Sequence, residues 1–167
     1  MLAWVGLSAL LLGGCSTLLA NVSDRLAASP PGRQCIVKPG TVYDGDTARF
    51  LCDRDEIKVR FCGIDAPEAE QPGGIDARDY LRSLLPDRAP VTIVPVEEDR
   101  YGRLVAEVWR EAIAPEPNLN VAMVLAGQAW HYEQYSRNCP SRDAIAAAAE
   151  TAGPMAGMPP WEWRRQN

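Results

Sequence analysis

Polar and apolar positions alternate most cleanly over residues 57–62. Ile57, Val59 and Phe61 fall on one side and Lys58, Arg60 and Cys62 on the other, the two-residue period of a half-buried strand. Upstream, residues 34–43 and 47–52 are also β-leaning, and Asp44-Gly45 between them is a strong hairpin signal. The polar run Asp53-Arg54-Asp55-Glu56 makes the next turn, so three antiparallel strands follow one another as a meander. Residues 91–96 and 104–109 supply two more strands. Helical spacing replaces alternation over 74–85, where Ala77, Leu81, Leu84 and Leu85 share a side and Pro86 stops the helix. A second helix is predicted over 118–127, apolar at Leu119, Val121, Ala122, Val124 and Leu125 and closed by Gly127. An alanine-rich third covers 143–152.

Three strands, a helix, two strands and then helices predict an α+β chain, mainly β. The expected form is a five-stranded barrel of the OB type with about three helices packed outside. The chain of 167 residues is long enough for one domain with a real core, placed at 34–167. Ahead of it, residues 1–14 are uncharged and mostly apolar. They are too short to span a bilayer as a mature helix but suit an export signal. They run into Leu12-Gly13-Gly14-Cys15, which resembles the bacterial lipobox, where the cysteine is diacylated and becomes the new N-terminus. Residues 15–33 then read as a lipidated N-terminus and a linker. The protein is accordingly expected to be exported, either anchored to a membrane of the cell envelope through that lipid or secreted.

Four further cysteines, Cys35, Cys52, Cys62 and Cys139, form an even set, as in an exported chain held by two disulfides. Cys35 and Cys52 flank the Asp44-Gly45 turn almost symmetrically, which favours Cys35–Cys52 and with it Cys62–Cys139. No C-x-x-C occurs and His131 is the only histidine, which argues against zinc.

Charge changes the picture in one way. A net charge of −5 counts against non-specific duplex binding as the main task. It leaves room for an enzyme whose few arginines act beside a metal ion. Candidate chemistry is densest from Arg60 to Glu68. With the second turn centred near Arg54 and Asp55, the predicted register sets Asp46 almost opposite Asp65. Carboxylates so placed, with Cβ atoms about 4.5–5.5 Å apart, repel each other without a cation. Their hard oxygens suit Ca²⁺ or Mg²⁺. Arg60 lies on the polar face of its strand and offers a planar fork to phosphate. Glu68 is placed to act as a general base on water, and Arg103, after the Tyr101-Gly102 turn, supplies a second positive fork.

Three segments then carry a resemblance. Asp44-Gly45-Asp46-Thr47, the run from Arg60 through Asp65-Ala66-Pro67-Glu68, and Asp99-Arg100-Tyr101-Gly102-Arg103 resemble the signature segments of the staphylococcal nuclease family. Asn118-Leu119-Asn120, Gly127-Gln128-Ala129-Trp130 and the tail Pro159-Pro160-Trp161-Glu162-Trp163-Arg164 are similar to bacterial members, so the likeness covers about residues 35–165. The resemblance implies an OB barrel that hydrolyses phosphodiesters of DNA or RNA with Ca²⁺. It implies that Asp46 and Asp65 hold the metal by carboxylate and Ala66 by its backbone carbonyl. It assigns Arg60 and Arg103 to the phosphate, Glu68 to the base, and Tyr101 and Tyr135 to the flanks of the nucleotide. The expected substrate is single-stranded or frayed nucleic acid, and the expected state is a monomer. The main alternative is a non-catalytic OB module of the envelope that binds nucleic acid or a protein. It gives no reason to aim Asp46, Asp65, Arg60, Glu68 and Arg103 at one point.

Overall fold

Alternating side chains build the wall that carries the site. The computed structural model describes residues 30–113 and 115–167, so the predicted export signal, Cys15 and most of the predicted linker lie outside the described residues. Among the described residues the chain runs β1 (Arg33–Val37), β2 (Thr47–Cys52), β3 (Asp55–Phe61), β4 (Ile64–Asp65) and α1 (Gly74–Leu84). It continues with β5 (Pro90–Glu98), β6 (Leu104–Trp109), α2 (Leu119–Leu125) and β7 (Trp130–His131). A 3₁₀ turn (Glu133–Tyr135), α3 (Arg142–Ala152) and α4 (Pro160–Gln166) complete it.

Five strands close a barrel in the order β1-β2-β3-β6-β5, with β1 pairing back onto β5. β3 and β6 run parallel and the other barrel pairs are antiparallel. This is the α+β, OB-type barrel expected from the strand pattern. Its core includes Val37, Phe50, Val59, Phe61, Ile93 and Val108, all fully buried. Burying an aliphatic or aromatic side chain of this size contributes about 1.5–3 kcal/mol. α1 adds Ala77, Leu81 and Leu84 to the same core. α2 starts at Asn118, whose side chain accepts from the N–H groups of Asn120 and Val121. It is buried from Leu119 to Val124 and packs against α3 through an interface that includes Ile145 and Ala148.

The structure corrects the sequence reading in four places. β1 ends at Val37 rather than running to residue 43. Pro39 has no N–H to give a ladder and Gly40 turns the chain at φ 68°, so residues 38–46 form a loop instead of a tight Asp44-Gly45 hairpin. The turn between β2 and β3 is Asp53-Arg54, with Asp53 left-handed at φ 57°, and Cys52 faces Asp55. Asp46 is therefore not opposed to Asp65: its carbonyl accepts from the Phe61 N–H at 2.8 Å. Asp65 comes back to the site only after the chain reverses at Gly63 (φ 73°), in the short sheet that β4 makes with β7. Finally, α4 is a fourth helix where about three were expected. Pro160 in its first turn was the available signal.

Both favoured disulfides are present, Cys35–Cys52 and Cys62–Cys139. They span 17 and 77 residues of sequence. Loop-closure entropy makes the longer one the stronger constraint on the unfolded chain. Replacing Cys62 and Cys139 together by serine is expected to cost about 3–5 kcal/mol, and replacing Cys35 and Cys52 about 2–3 kcal/mol. Urea unfolding of the two double variants checks the order, and a larger loss at Cys35–Cys52 would contradict it.

Candidate active site

Arg60 is the hub. Its place in β3 is opposite Thr47 and beside Val105 of β6. From there its Nη1 donates to the carbonyls of Phe61 and Ile64, both at 2.8 Å. Its Nη2 lies 2.8 Å from Asp65 Oδ1 and 3.2 Å from Asp46 Oδ2. One guanidinium thus fixes the reversal after β3 and gathers both carboxylates. Asp46 Oδ2 also accepts from the Ala66 N–H at 2.8 Å, which ties the 44–47 loop to the segment after β4.

The reversal itself is held from several sides. Cys62 N–H donates to the Ala106 carbonyl, and Tyr132 N–H to the Gly63 carbonyl, each at 2.8 Å. Asn120, fully buried in α2, donates from Nδ2 to the Cys62 carbonyl at 2.8 Å and accepts from the Val108 N–H at 3.0 Å. The Cys62–Cys139 bond joins the same turn to the segment before α3. Beyond it, Glu68 follows Pro67 on a loop capped by Gln71, whose side-chain oxygen accepts from the Glu68 N–H at 3.2 Å. α1 begins so close to this loop that a Cβ on Gly74 would lie 1.8 Å from the Glu68 carbonyl oxygen.

Electrostatics here are strongly acidic. Asp65 is completely buried and Asp46 nearly so. Burial raises the Asp65 carboxyl above its ordinary value, while hydrogen bonding from Arg164 and the charge of Arg60 pull it back. Asp44 is pushed up to about 6, by burial first and by the charge of Asp46 second. Asp44 Oδ1 accepts from the N–H groups of Asp46 and Thr47, which shapes the loop that presents Asp46.

The opposite rim comes from the turn between β5 and β6. Asp99 accepts from the N–H groups of Tyr101 and Arg103, and its Oδ2 holds Arg103 Nε at 2.7 Å. Burial pushes the Asp99 carboxyl up, but these bonds outweigh it and leave it below the usual carboxylate value. The Tyr101 ring carries Arg100 and Arg103 at 4.9 and 5.6 Å from its centre. Tyr101 and Tyr135 are both largely exposed. Every residue singled out from the sequence as catalytic, metal-holding or nucleotide-flanking lines one cleft of about 900 Å³: Asp46, Arg60, Asp65, Ala66, Glu68, Tyr101, Arg103 and Tyr135.

Tyr132 and Arg164 also line that cleft, though the sequence reading gave neither a role. Tyr132 stacks on Trp161 of α4, and Arg164 reaches Asp65 and Glu68 from the same helix. The tail was visible only as a family-like string, and nothing local told where its arginine would land.

A closed barrel of this order, with carboxylates and arginines facing each other across a cleft, defines an OB-type domain suited to an anionic ligand. The model of the staphylococcal nuclease homologue family matches residues 58–155. The chain is 32% identical over 160 residues to Protein ParB of Escherichia coli, covering 89% of each chain. It is 35% identical over 133 residues to an uncharacterized endonuclease of Escherichia coli O157:H7, covering 75% of this chain and 82% of the relative. It is 33% identical over 135 residues to a micrococcal nuclease of Shigella flexneri, covering 74% and 77%. The chain belongs to the staphylococcal nuclease family, and the enzyme class is that of a nuclease, a hydrolase of nucleic-acid phosphodiesters.

Asn120→Ala removes a buried amide and leaves the Cys62 carbonyl and Val108 N–H without their partner. It is expected to destabilise the domain by about 2–4 kcal/mol and to lower activity further by loosening the reversal that delivers Asp65. Thermal unfolding together with cleavage assays below the melting range checks both effects. A variant of wild-type stability would refute the positioning role.

Proposed function

We propose that this nuclease is Ca²⁺-dependent and cuts single-stranded or frayed DNA or RNA, with Glu68 as the base that takes a proton from the attacking water. The observation that carries this reading is the convergence of Asp46, Asp65, Arg60 and Glu68 on one wall of a cleft whose other wall carries Arg103.

The donor set fits a hard divalent cation. Four carboxylates, Asp44, Asp46, Asp65 and Glu68, share this part of the cleft with two arginines, Arg60 and Arg164, an excess of negative charge that a divalent cation would balance. Among the described residues no three His, Cys, Asp or Glu side chains form a closed metal cage. Two carboxylates and the Ala66 carbonyl would therefore be the protein donors, with water and substrate oxygens completing a Ca²⁺ shell. When bound, the ion supplies charge stabilisation at the phosphate and a more acidic water.

The chain's own groups do the rest. Arg60 and Arg103 bind the phosphate oxygens and stabilise charge as it builds on them. Glu68, on a half-exposed loop held by Gln71 and α1, accepts the proton. Tyr101 and Tyr135 present flat faces to the nucleotide. Arg60 and Arg103 supply positive forks to the phosphate although the chain and the cleft lining are both acidic on balance.

The two disulfides support an oxidising compartment. We infer that residues 1–14 are removed, that Cys15 is diacylated, and that residues 15–33 tether a monomeric 34–167 domain to the envelope. Mass spectrometry of the mature N-terminus is expected to show a lipid-modified Cys15, and an unmodified chain starting elsewhere would overturn the anchor.

Single-stranded DNA should be cut in Ca²⁺ and left intact with chelator. Glu68→Gln is expected to lower the rate by about 10²–10⁴, and Arg103→Lys on the order of 10²–10³. Undiminished cleavage by Glu68→Gln would remove the base assignment, and cleavage in chelator would remove the calcium dependence.

A further inference from the structure

α4 puts a side chain into the cleft that the mechanism does not use. Arg164 Nη2 lies 2.7 Å from Asp65 Oδ2, and its Nη1 lies 3.3 Å from Asp65 Oδ1 and 2.5 Å from Glu68 Oε1. One guanidinium therefore sits on a carboxylate assigned to the cation and on the carboxylate assigned to the water. Asp65 Oδ1 has Arg60 as well, but Asp65 Oδ2 takes its hydrogen bond from Arg164 alone among the described residues. The tail is seated to make this contact. Trp161 stacks on Tyr132 with centroids 4.8 Å apart and planes 11° apart. The Met158 carbonyl accepts from Gln71 Nε2 at 2.5 Å, and Pro160 is buried.

We propose that Arg164 is an internal counter-cation that closes the site in the metal-free protein, and that a divalent cation opens the site by displacing it. The proposal rests on the reading of Asp65 as a metal ligand. A buried carboxylate without a cation is costly, so the metal-free fold needs one. The two partners differ in freedom. Asp65 is fixed in β4 against Trp130, with its side chain 1% exposed, whereas the Arg164 side chain is 42% exposed on a terminal helix. Arg164 leaves into water at little cost, and Asp65 does not move. A cation on Asp65 Oδ2 takes the Asp65 oxygen that Arg164 holds more closely. The same departure frees Glu68, so metal binding and exposure of the base become one event. The latch lowers the apparent affinity for the cation by the fraction of time it is open.

The test measures Ca²⁺ binding directly, by calorimetric titration of the full chain without nucleic acid. Thermal unfolding is followed in chelator and in saturating Ca²⁺. The variants are Arg164→Gln and, as a control for the loss of one positive charge on the same helix, Arg165→Gln. Arg164→Gln is expected to bind Ca²⁺ about tenfold tighter, as for a latch shut nine-tenths of the time, and Arg165→Gln to change affinity by less than about twofold. In chelator Arg164→Gln is expected to melt lower than wild type and to gain more from Ca²⁺. A merely structural arginine would lower the melting temperature equally in both conditions, and that result overturns the proposal. Equal Ca²⁺ affinity in wild type and Arg164→Gln overturns the latch while leaving the calcium reading intact. Absence of Ca²⁺ binding in all three proteins overturns the calcium reading and the latch with it. Should Arg164→Gln not fold, Arg164→Lys, which keeps the charge but loses the fork, is expected to bind Ca²⁺ more tightly than wild type, and unchanged affinity there overturns the latch.

Discussion

A single guanidinium decides whether this barrel has a site at all. Arg60 is held on the polar face of β3 by a register that also buries Val59 and Phe61, so its position is set by the core. From that fixed point it bonds two carbonyls of the reversal after β3 and two carboxylates from separate segments. Remove it, and Asp46 loses its arginine while Asp65 keeps only Arg164, beside loosened backbone. Breaking a buried pair in this way costs about 3–5 kcal/mol in proteins generally. A barrel strand therefore does two jobs with alternate residues, one set making the core and the other assembling an anion cluster.

How much of this was legible depends on the range of the interaction. The two-residue period of β3 and the glycine that closes α2 are local, and they were readable. So was the pairing of Cys35 with Cys52, because the β1–β2 register puts Ile36 opposite Leu51 and so makes those cysteines face each other. The meeting of Asp46 with Asp65 was foreseen by the wrong route. A direct hairpin opposition was expected, but the turn falls at Asp53-Arg54, and the carboxylates meet only because Gly63 reverses the chain. Composition does not reveal where a turn residue will take a left-handed conformation, and one residue of slip changes every partner. Arg164 was beyond reach altogether. It is 99 residues from Asp65, and the packing that brings it there runs through Trp161, Tyr132 and Gln71.

The chain and its cleft are both acidic on balance, and the arrangement of charges within the cleft governs the chemistry. The Asp99 carboxylate shows how. It spends its charge on shaping the turn that carries Tyr101 and on aiming Arg103, so an acidic residue builds the basic rim. Asp44 does the same for the loop that presents Asp46. Counting charges over the whole chain misses this, because several of the acidic groups act as scaffolding within it.

The unequal reach of the two disulfides has a consequence for how the molecule is made. Cys35 and Cys52 belong to adjacent strands and meet as soon as that hairpin forms, an event of microseconds. Cys62 meets Cys139 only after the barrel has closed and the helical segment has docked, a non-local search that is far slower. The short-range pair therefore needs less of the fold in place to come within reach than the long-range pair does. Cys62 and Cys139 flank the reversal that delivers Asp65, so their bond ties that wall of the cleft to the helical half of the chain.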